Sequence, residues 1–178
     1  MSTIDWQRVI CDHGPMANET TVAAAKSGAA SKSAHGEAWG ALTRTQAAVS
    51  GRLQEALTES GFPPLPWYEV LSTVADAPEA RMRMGDLAEA MVISRGGLTK
   101  LVDRLVKAGL LERTFCETDR RVSYATLMPA GDDLLAEMRP VVVAELRIAF
   151  EAKLSVEEAN DLRDTLDRVR SSACGGGH

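Results

Sequence analysis

The strongest constraint on the fold is a capped helix followed directly by two short β-type segments. Ser94 is a good N-cap residue. Four apolar residues then recur at the spacing of one helical face: Leu98, Leu101, Val102 and Leu105. Gly109 lies where a left-handed residue ends such a helix. Residues 110–115 and 122–127 are rich in Thr, Phe, Val and Tyr, and the polar residues 116–121 join them. The sequence therefore predicts a helix and a β-hairpin in direct succession.

Helical patterns also occupy most of the chain before this segment. The first is a long apolar stripe that ends before Gly61 and two prolines: Trp39, Leu42, Val49, Leu53 and Leu57. Pro66 suits the first turn of a second helix, and residues 84–91 suit a short third helix with Leu87 and Ala88 buried. The spacing predicts three helices before the capped one.

Two more helices are predicted after the hairpin. Pro129 begins a long helix that we expect to bend at Pro140. Ser155 and Glu158 have the spacing of a capping box for the last helix. Its inward face is expected to consist of Ala159, Leu162, Leu166 and Val169. The fold class is then mainly α with a small β-hairpin wing (α+β), in the order four helices, hairpin, two helices.

The composition is that of one globular domain with tails. The chain has 178 residues, 45% of them apolar, and a formal net charge of -5. Its three cysteines, Cys11, Cys116 and Cys174, are an odd number without zinc-site spacing, which indicates a reducing compartment. No apolar segment approaches the ~20 residues that a membrane span needs. We expect a cytoplasmic protein with no membrane partner.

The chain carries no recognisable motif for catalysis, for a cofactor or for a metal. Its three histidines, His13, His35 and His178, lie in or beside the tails. No His-x-x-Glu-His pattern, Gly-rich phosphate loop or nucleophile elbow occurs. The sequence therefore predicts a protein that is not an enzyme and that needs neither cofactor nor metal.

Positive charge is concentrated in the capped helix and the hairpin. Residues 94–121 contain seven basic and four acidic side chains, so this segment carries +3 and the other 150 residues carry -8. The candidate DNA contacts are Ser94, Arg95, Thr99, Lys100, Arg104, Arg120 and Arg121. In a winged helix-turn-helix protein, one helix enters the major groove of duplex DNA and the hairpin, or wing, reaches the minor groove. A charged helix face alone is also typical of simple solvation, and the adjoining basic wing favours DNA binding.

Four segments of this region carry a more specific pattern: Leu87–Ala90, Leu98–Leu105, Gly109–Arg113 and Asp119–Arg121. In order and spacing they resemble the MarR family of bacterial transcriptional regulators, over about Trp39 to Arg170. The resemblance implies a homodimer that represses transcription and leaves its DNA when a small aromatic or phenolic effector binds. It also implies that Arg121 enters the minor groove and that Asp119 helps to hold the wing.

The resemblance and the helical pattern together divide the chain into five parts. Residues 1–36 are expected to form a flexible N-terminal tail, and residues 171–178 a flexible C-terminal tail. Residues 37–62 form a first dimerisation helix, residues 63–128 the winged domain that binds DNA, and residues 129–170 the C-terminal dimerisation helices. The apolar stripes of the terminal helices exceed what a small winged domain needs, which favours a homodimer over an enlarged monomer core. We therefore expect a double-stranded operator with an inverted repeat.

Gly96 and Gly97 depart from the family pattern, which usually has polar side chains at these positions of the recognition helix. Each glycine costs about 1 kcal/mol of helix stability. Direct base recognition then depends on Arg95, Thr99 and Lys100. The two glycines either allow the backbone to approach DNA closely or leave a helix that is ordered only when bound.

The effector is expected to bind near the first two helices, where the resemblance places a pocket. Trp39, Trp67 and Tyr68 are the candidate aromatic contacts, and Arg44 or His35 could pair with a carboxylate. The same aromatic residues are also typical of an ordinary core.

Two alternative functions stay open. Cys116 lies in the wing near Arg113 and could sense oxidants if its thiol pKa were lowered, although Glu117 and Asp119 oppose that shift. A winged-helix module can also bind another protein, and such binding would depend little on salt or on Arg121.

Overall fold

The computed structural model describes residues 33–91, 93–116, 119 and 121–174. Within these ranges lie six α-helices and three short strands, which confirms a mainly α fold with a small β wing. Residues 1–32, most of the predicted N-terminal tail, lie outside the described residues. In the part of the chain that is described, no helix combines the length and the apolarity needed to cross a bilayer.

The first helix begins earlier than the sequence predicts. α1 spans Ala34–Glu59, because the Ser33 hydroxyl accepts a hydrogen bond from the Gly36 N–H at 3.1 Å and caps the helix. Gly61 follows with a φ of 76° and helps to end the helix. Residues 34–36 therefore belong to α1 and not to a flexible tail, which corrects the expected boundary at residue 37.

A helix, a strand and a short helix follow. α2 spans Leu65–Ala75, a 3-10 turn spans Pro78–Ala80, β1 spans Arg81–Arg83 and α3 spans Met84–Ala90. The sequence does not predict β1, because Arg-Met-Arg contains no β-branched or aromatic residue. The segment is extended because it pairs with a strand more than 40 residues away in the sequence.

α4 spans Arg95–Lys107 and has the predicted caps at both ends. The Ser94 hydroxyl accepts a hydrogen bond from the Gly97 N–H at 3.1 Å. Gly109 has a φ of 73°, the left-handed conformation expected of a residue that ends a helix. Local hydrogen bonds and one glycine thus define both ends of α4, the helix whose basic residues are predicted to contact DNA.

The predicted hairpin is part of a three-stranded antiparallel sheet. β2 spans Leu111–Phe115 and β3 spans Ser123–Leu127, and the strand order is β1-β3-β2. Arg83 of β1 and Thr114 of β2 both lie opposite Tyr124 of β3. The wing is therefore attached to the chain segment that leads directly into α3.

The fifth helix runs from the sheet towards the C-terminus. α5 spans Pro129–Leu146 and continues through Pro140, which stands inside the helix. A π-helical turn follows it over Arg147–Glu151. Gly131 lets α5 pass close to the wing, because a Cβ at this position would collide with the Leu110 carbonyl.

The last helix, α6, spans Val156–Cys174 and begins at the predicted capping box. Residues 171–174 therefore belong to α6 and not to the expected C-terminal tail, of which residues 175–178 lie outside the described residues. The Glu158 N–H donates to the Ser155 hydroxyl at 3.2 Å, and the Ser155 N–H donates to the Glu158 carboxylate at 2.8 Å. The expectation of an inward apolar face on this helix is wrong within one chain. Leu162 is 39% exposed and Val169 is 54% exposed, because the rest of the chain leaves this face uncovered.

The five helices α1 to α5 and the sheet share one apolar core. Its completely buried members are Leu57, Val70, Leu71, Val74, Leu87, Val102, Leu105, Leu110, Ala125 and Met138. They come from five helices, from β3 and from the residue before β2. This core fixes α4 and the wing relative to each other.

Candidate nucleic-acid interface

The buried face of α4 decides which of its side chains reach solvent. Leu98 and Leu105 are at most 1% exposed, whereas Arg95 and Lys100 on other faces are exposed. Thr99 is partly buried, and its hydroxyl donates to the Arg95 carbonyl at 2.9 Å. α4 therefore presents two basic side chains to solvent near its N-terminus, the part of a recognition helix that contacts base edges.

A hydrogen-bonded turn positions the tip of the wing. The Cys116 N–H donates to the Val122 carbonyl at 2.9 Å, and the Val122 N–H donates to the Asp119 carbonyl at 2.9 Å. The Asp119 carboxylate accepts a hydrogen bond from the Arg121 N–H, also at 2.9 Å. Asp119 thereby fixes the backbone that carries the exposed Arg121. Arg120 lies outside the described residues.

A cleft of about 350 Å³ separates the N-terminus of α4 from the wing. Three of the sequence-predicted DNA contacts line it together: Arg95, Thr99 and Arg121. Two further arginines, Arg83 from β1 and Arg113 from β2, share its wall with the acidic Asp86 and Glu89 of α3. The other predicted α4 residues, Ser94, Lys100 and Arg104, are not part of its lining. The cleft thus brings together four arginine residues, from β1, α4, β2 and the turn of the wing.

Arg113 connects α4 to the sheet. It pairs with the Asp103 carboxylate of α4 at 3.4 Å and donates to the Ser123 hydroxyl of β3 at 3.4 Å. Its guanidinium also lies 5.5 Å from the centre of the Phe115 ring. Arg113 is not among the DNA contacts predicted from the sequence. Strand alternation is the signal that could have placed it, because Leu111, on the same face of β2, is 2% exposed.

Arg83 was also missed by sequence reasoning, and for a similar reason. Because β1 is not predicted, Arg83 has no assigned place before the fold is known. In the structure it precedes α3 directly and lies opposite Tyr124, so its side chain reaches the cleft wall. The neighbouring Arg81 lies over the Tyr124 ring, 4.2 Å from its centre.

The four residues predicted for the effector pocket lie in different environments. Trp39 is 65% exposed on α1, and Arg44 is exposed on the same helix. Trp67 is 3% exposed and belongs to the core. Tyr68 is partly buried and lines a groove of about 330 Å³ between α2 and the end of α3. None of Trp39, Arg44 and Trp67 lines this groove.

The Tyr68 groove is mixed in polarity and lacks a basic side chain. Its other lining residues are Glu69, Ser72, Thr73, Ala90 and Met91. Partial burial here raises the pKa of the Glu69 carboxyl above its ordinary value. The Thr73 hydroxyl donates to the Glu69 carbonyl at 2.7 Å and lies 3.7 Å from the Met91 sulfur.

Cys116, the candidate redox residue, is partly buried at the end of β2. Among the residues that the structure describes, no group of three His, Cys, Asp or Glu side chains is arranged to hold a metal ion.

Comparisons of the sequence and of the structure with known proteins both find transcriptional regulators. A MarR family model matches residues 60–122, which include α2, α3, α4 and most of the wing. The HTH-type transcriptional regulator MhqR of Bacillus subtilis (strain 168) is 27% identical over 134 residues, 74% of this chain and 88% of that protein.

Two solved structures with the same fold have a bound partner. Sco3205, a MarR family transcriptional regulator from Streptomyces coelicolor in complex with DNA, aligns with a TM-score of 0.70 and 27% identity, over 79% of this chain and 88% of that chain. CouR from Rhodococcus jostii RHA1, bound to p-coumaroyl-CoA, aligns with a TM-score of 0.66 and 26% identity, over 81% of this chain and 96% of that chain.

Proposed function

Since the chain belongs to the MarR family of DNA-binding transcriptional regulators, which are not enzymes, we propose that it represses transcription as a homodimer on an inverted-repeat operator. In this proposal α4 enters the major groove with Arg95, Thr99 and Lys100 at the base edges. Arg121 enters the neighbouring minor groove from the wing. Ser94, Arg104 and Arg120 contact the sugar-phosphate backbone.

The observation that carries this proposal is the cleft between α4 and the wing. Arg83, Arg95, Arg113 and Arg121 come from four separate elements, and they converge on one side of the molecule. The rest of the chain is strongly acidic, so DNA is attracted to this side and repelled elsewhere. The related regulator Sco3205, of similar fold, is seen with DNA, which supports the same use of the fold in this chain.

The homodimer is supported by the apolar side chains that one chain leaves uncovered. On α6 the residues Ala159, Leu162, Leu166 and Val169 follow the alternating three- and four-residue spacing of a coiled-coil seam. Val143, Leu146 and Ile148 are also exposed, at the end of α5 and in the π-helical turn. A second copy of the chain would cover these surfaces and set two recognition helices about one DNA turn apart.

An aromatic effector is proposed to bind in the Tyr68 groove. The groove has the volume of a small-molecule site, and its lining includes the phenol of Tyr68 and the methionine Met91. Met91 stands three residues before Ser94, so a ligand that displaces it would move the N-terminus of α4. The CouR structure, with p-coumaroyl-CoA bound, supports an aromatic class of ligand.

The test is fluorescence anisotropy with two duplexes, one selected by the protein from a random-sequence pool and one with the same bases shuffled. We expect preferential binding of the selected duplex, two chains per duplex, and an affinity that falls steeply with salt. Arg121→Ala should weaken binding of the selected duplex at least about tenfold. The control is Lys107→Ala, which removes an exposed cation from the same helix roughly 18 Å along its axis from Arg95.

Equal affinity of wild type and Arg121→Ala would contradict the wing assignment. Absence of DNA binding even at low salt would instead favour the protein-binding alternative. Effector release is tested on the same complex with a panel of phenolic compounds, and Tyr68→Ala should abolish any release that the wild type shows.

A further inference from the structure

Gly96 occupies the centre of the outward face of α4 in its first turn. Residues of an α-helix are about 100° apart around its axis. On that spacing Gly96 lies almost diametrically opposite the buried stripe of Leu98, Leu101, Val102 and Leu105. The position of α4 best placed to face a DNA groove therefore carries no side chain, and Gly96 is exposed.

Among the residues that the structure describes, no contact requires glycine at this position. The positive-φ glycines of the described residues are Gly61 and Gly109. Gly96 therefore has a backbone conformation that any other residue can adopt. A Cβ at Gly96 would meet no atom within 4 Å. Glycine is nevertheless among the least favourable residues inside a helix. Gly96 therefore lowers the stability of α4, and no contact among the described residues compensates for this loss.

Gly97 differs in having one close neighbour inside the chain. A Cβ at Gly97 would lie 3.1 Å from the Ser94 hydroxyl oxygen, which accepts the hydrogen bond of the Gly97 N–H. A side chain at this position therefore needs a small shift of the Ser94 hydroxyl, and the cap of α6 shows that Glu158 is accommodated at the equivalent position beside Ser155. Gly96 has no neighbour at such a distance.

We propose that Gly96 is a specificity-determining residue, whose missing side chain lets the backbone of α4 approach the base edges closely. This inference rests on the proposed function of α4. Thr99 and Lys100 follow Gly96 by three and four residues and so flank it on the same side of the helix. The Thr99 side chain is short, and a bulky group at position 96 would hold it away from the bases. Close approach is thus what brings Thr99 within hydrogen-bonding distance of a base.

A second explanation is that Gly96 keeps α4 loose until DNA binds, although the N-cap of the helix is formed in the structure. The two explanations predict opposite effects of Gly96→Ala. If Gly96 served to keep the free helix loose, alanine would preorganise α4 and strengthen binding. If Gly96 permits close approach, alanine stabilises the helix and weakens specific binding.

The experiment measures Gly96→Ala and Gly96→Gln on the selected and shuffled duplexes and records thermal unfolding of each variant. We expect Gly96→Ala to raise Tm by about 2–4 °C. Its affinity for the selected duplex should fall about tenfold, and further with glutamine, as base contacts are lost. Binding to the shuffled duplex depends on phosphates and should change by less than about twofold. The control is Lys107→Ala at the far end of α4, which should leave the ratio of the two affinities unchanged.

Three outcomes decide the matter. A higher Tm with a lower ratio of the two affinities supports the role of Gly96. An unchanged or increased affinity of Gly96→Ala for the selected duplex overturns it, while the proposed function stands if Arg121→Ala still weakens binding. If wild type itself does not distinguish the two duplexes, the proposed function fails first and this inference fails with it.

Discussion

α4 and α6 have the same design in sequence and opposite environments in the structure. Each begins at a serine cap and carries an apolar stripe along one face. In α4 the stripe is covered, and Leu105 is completely buried. In α6 the stripe is open, and Val169 is 54% exposed. An amphipathic pattern therefore shows that a face needs a cover, but it does not show whether the same chain provides it.

The difference divides the molecule by function. The part that carries the cleft is packed from within, since α1 to α5 and the sheet share one core. The elements that carry its arginines are consequently held together within a single chain. The part that carries α6 depends on an outside surface, and we propose that a second copy supplies it.

The largest effect is expected from a cavity in the covered helix. Leu105→Ala should lower the free energy of unfolding by about 2–5 kcal/mol, because a completely buried side chain leaves a cavity in the core. The measurement is urea denaturation at a protein concentration below that of dimer formation. Val156→Ala, at a 75% exposed position, is the control and should change the free energy by less than about 0.5 kcal/mol. Equal losses in both variants would remove the distinction between the two helices.

The next effect concerns the open stripe of α6. Leu162→Asp combined with Val169→Asp should raise the dissociation constant of the dimer at least about 100-fold, since each buried apolar side chain contributes about 1.5–3 kcal/mol. Sedimentation equilibrium measures the change. Asn160→Asp adds one negative charge, half of that in the double variant, to the polar side of α6 and should leave the dimer intact. The proposal that a second copy covers the apolar stripe of α6 would be refuted by a wild-type chain that is monomeric at all protein concentrations measured. A double variant that dimerises as tightly as wild type would refute it as well.

A smaller effect is expected at the wing. Asp119→Ala removes the acceptor of the Arg121 N–H, and one such hydrogen bond contributes about 0.5–1.5 kcal/mol. Affinity for the selected duplex should therefore fall less than in Arg121→Ala, while the Tm changes little. Asp119→Asn retains an acceptor oxygen and should restore most of the affinity. A loss in the asparagine variant as large as in the alanine variant would show that charge, and not the turn, is what matters.

The smallest effect is expected in the Tyr68 groove. Because partial burial raises the pKa of Glu69, the folded chain binds a proton at this carboxyl more tightly than the unfolded chain does. Stability should therefore decline slightly as the pH rises from about 4.3, the ordinary glutamate pKa, through the raised value. Glu69→Gln has no charge to desolvate, so its stability relative to wild type should be greater at pH 7 than at pH 4. Thermal unfolding across this range measures it, and a pH-independent difference would place the cause elsewhere.

Much of the fold could be predicted from the sequence, because helix ends depend on neighbours a few residues apart. Ser94 and Gly109 mark the ends of α4, and Ser155 with Glu158 marks the start of α6. These signals are hydrogen bonds and backbone conformations within one turn of helix. The start of α1 was placed too late, because Ser33 stands in a segment whose small residues resemble a tail.

The candidate site could be predicted only in part. Arg95, Thr99 and Arg121 belong to segments with recognisable patterns, and the structure brings them to one cleft. Arg83 and Arg113 join them through the pairing of β1 and β2 with β3. Such pairing links residues far apart in the sequence, and the apolar periodicity of a single segment does not indicate which strand it pairs with.

By itself, the sequence determined where α4 begins and ends and where α6 begins, which helix faces are apolar, and that the charge of α4 and the wing is opposite to that of the rest. The tertiary structure alone decided that Trp67 lies in the core while Trp39 stands in solvent, that β1 completes the sheet, and that Arg113 ties α4 to the wing. The physical reason is the range of the interactions. Caps and stripes act within a few residues, whereas burial and strand pairing depend on which distant segments meet.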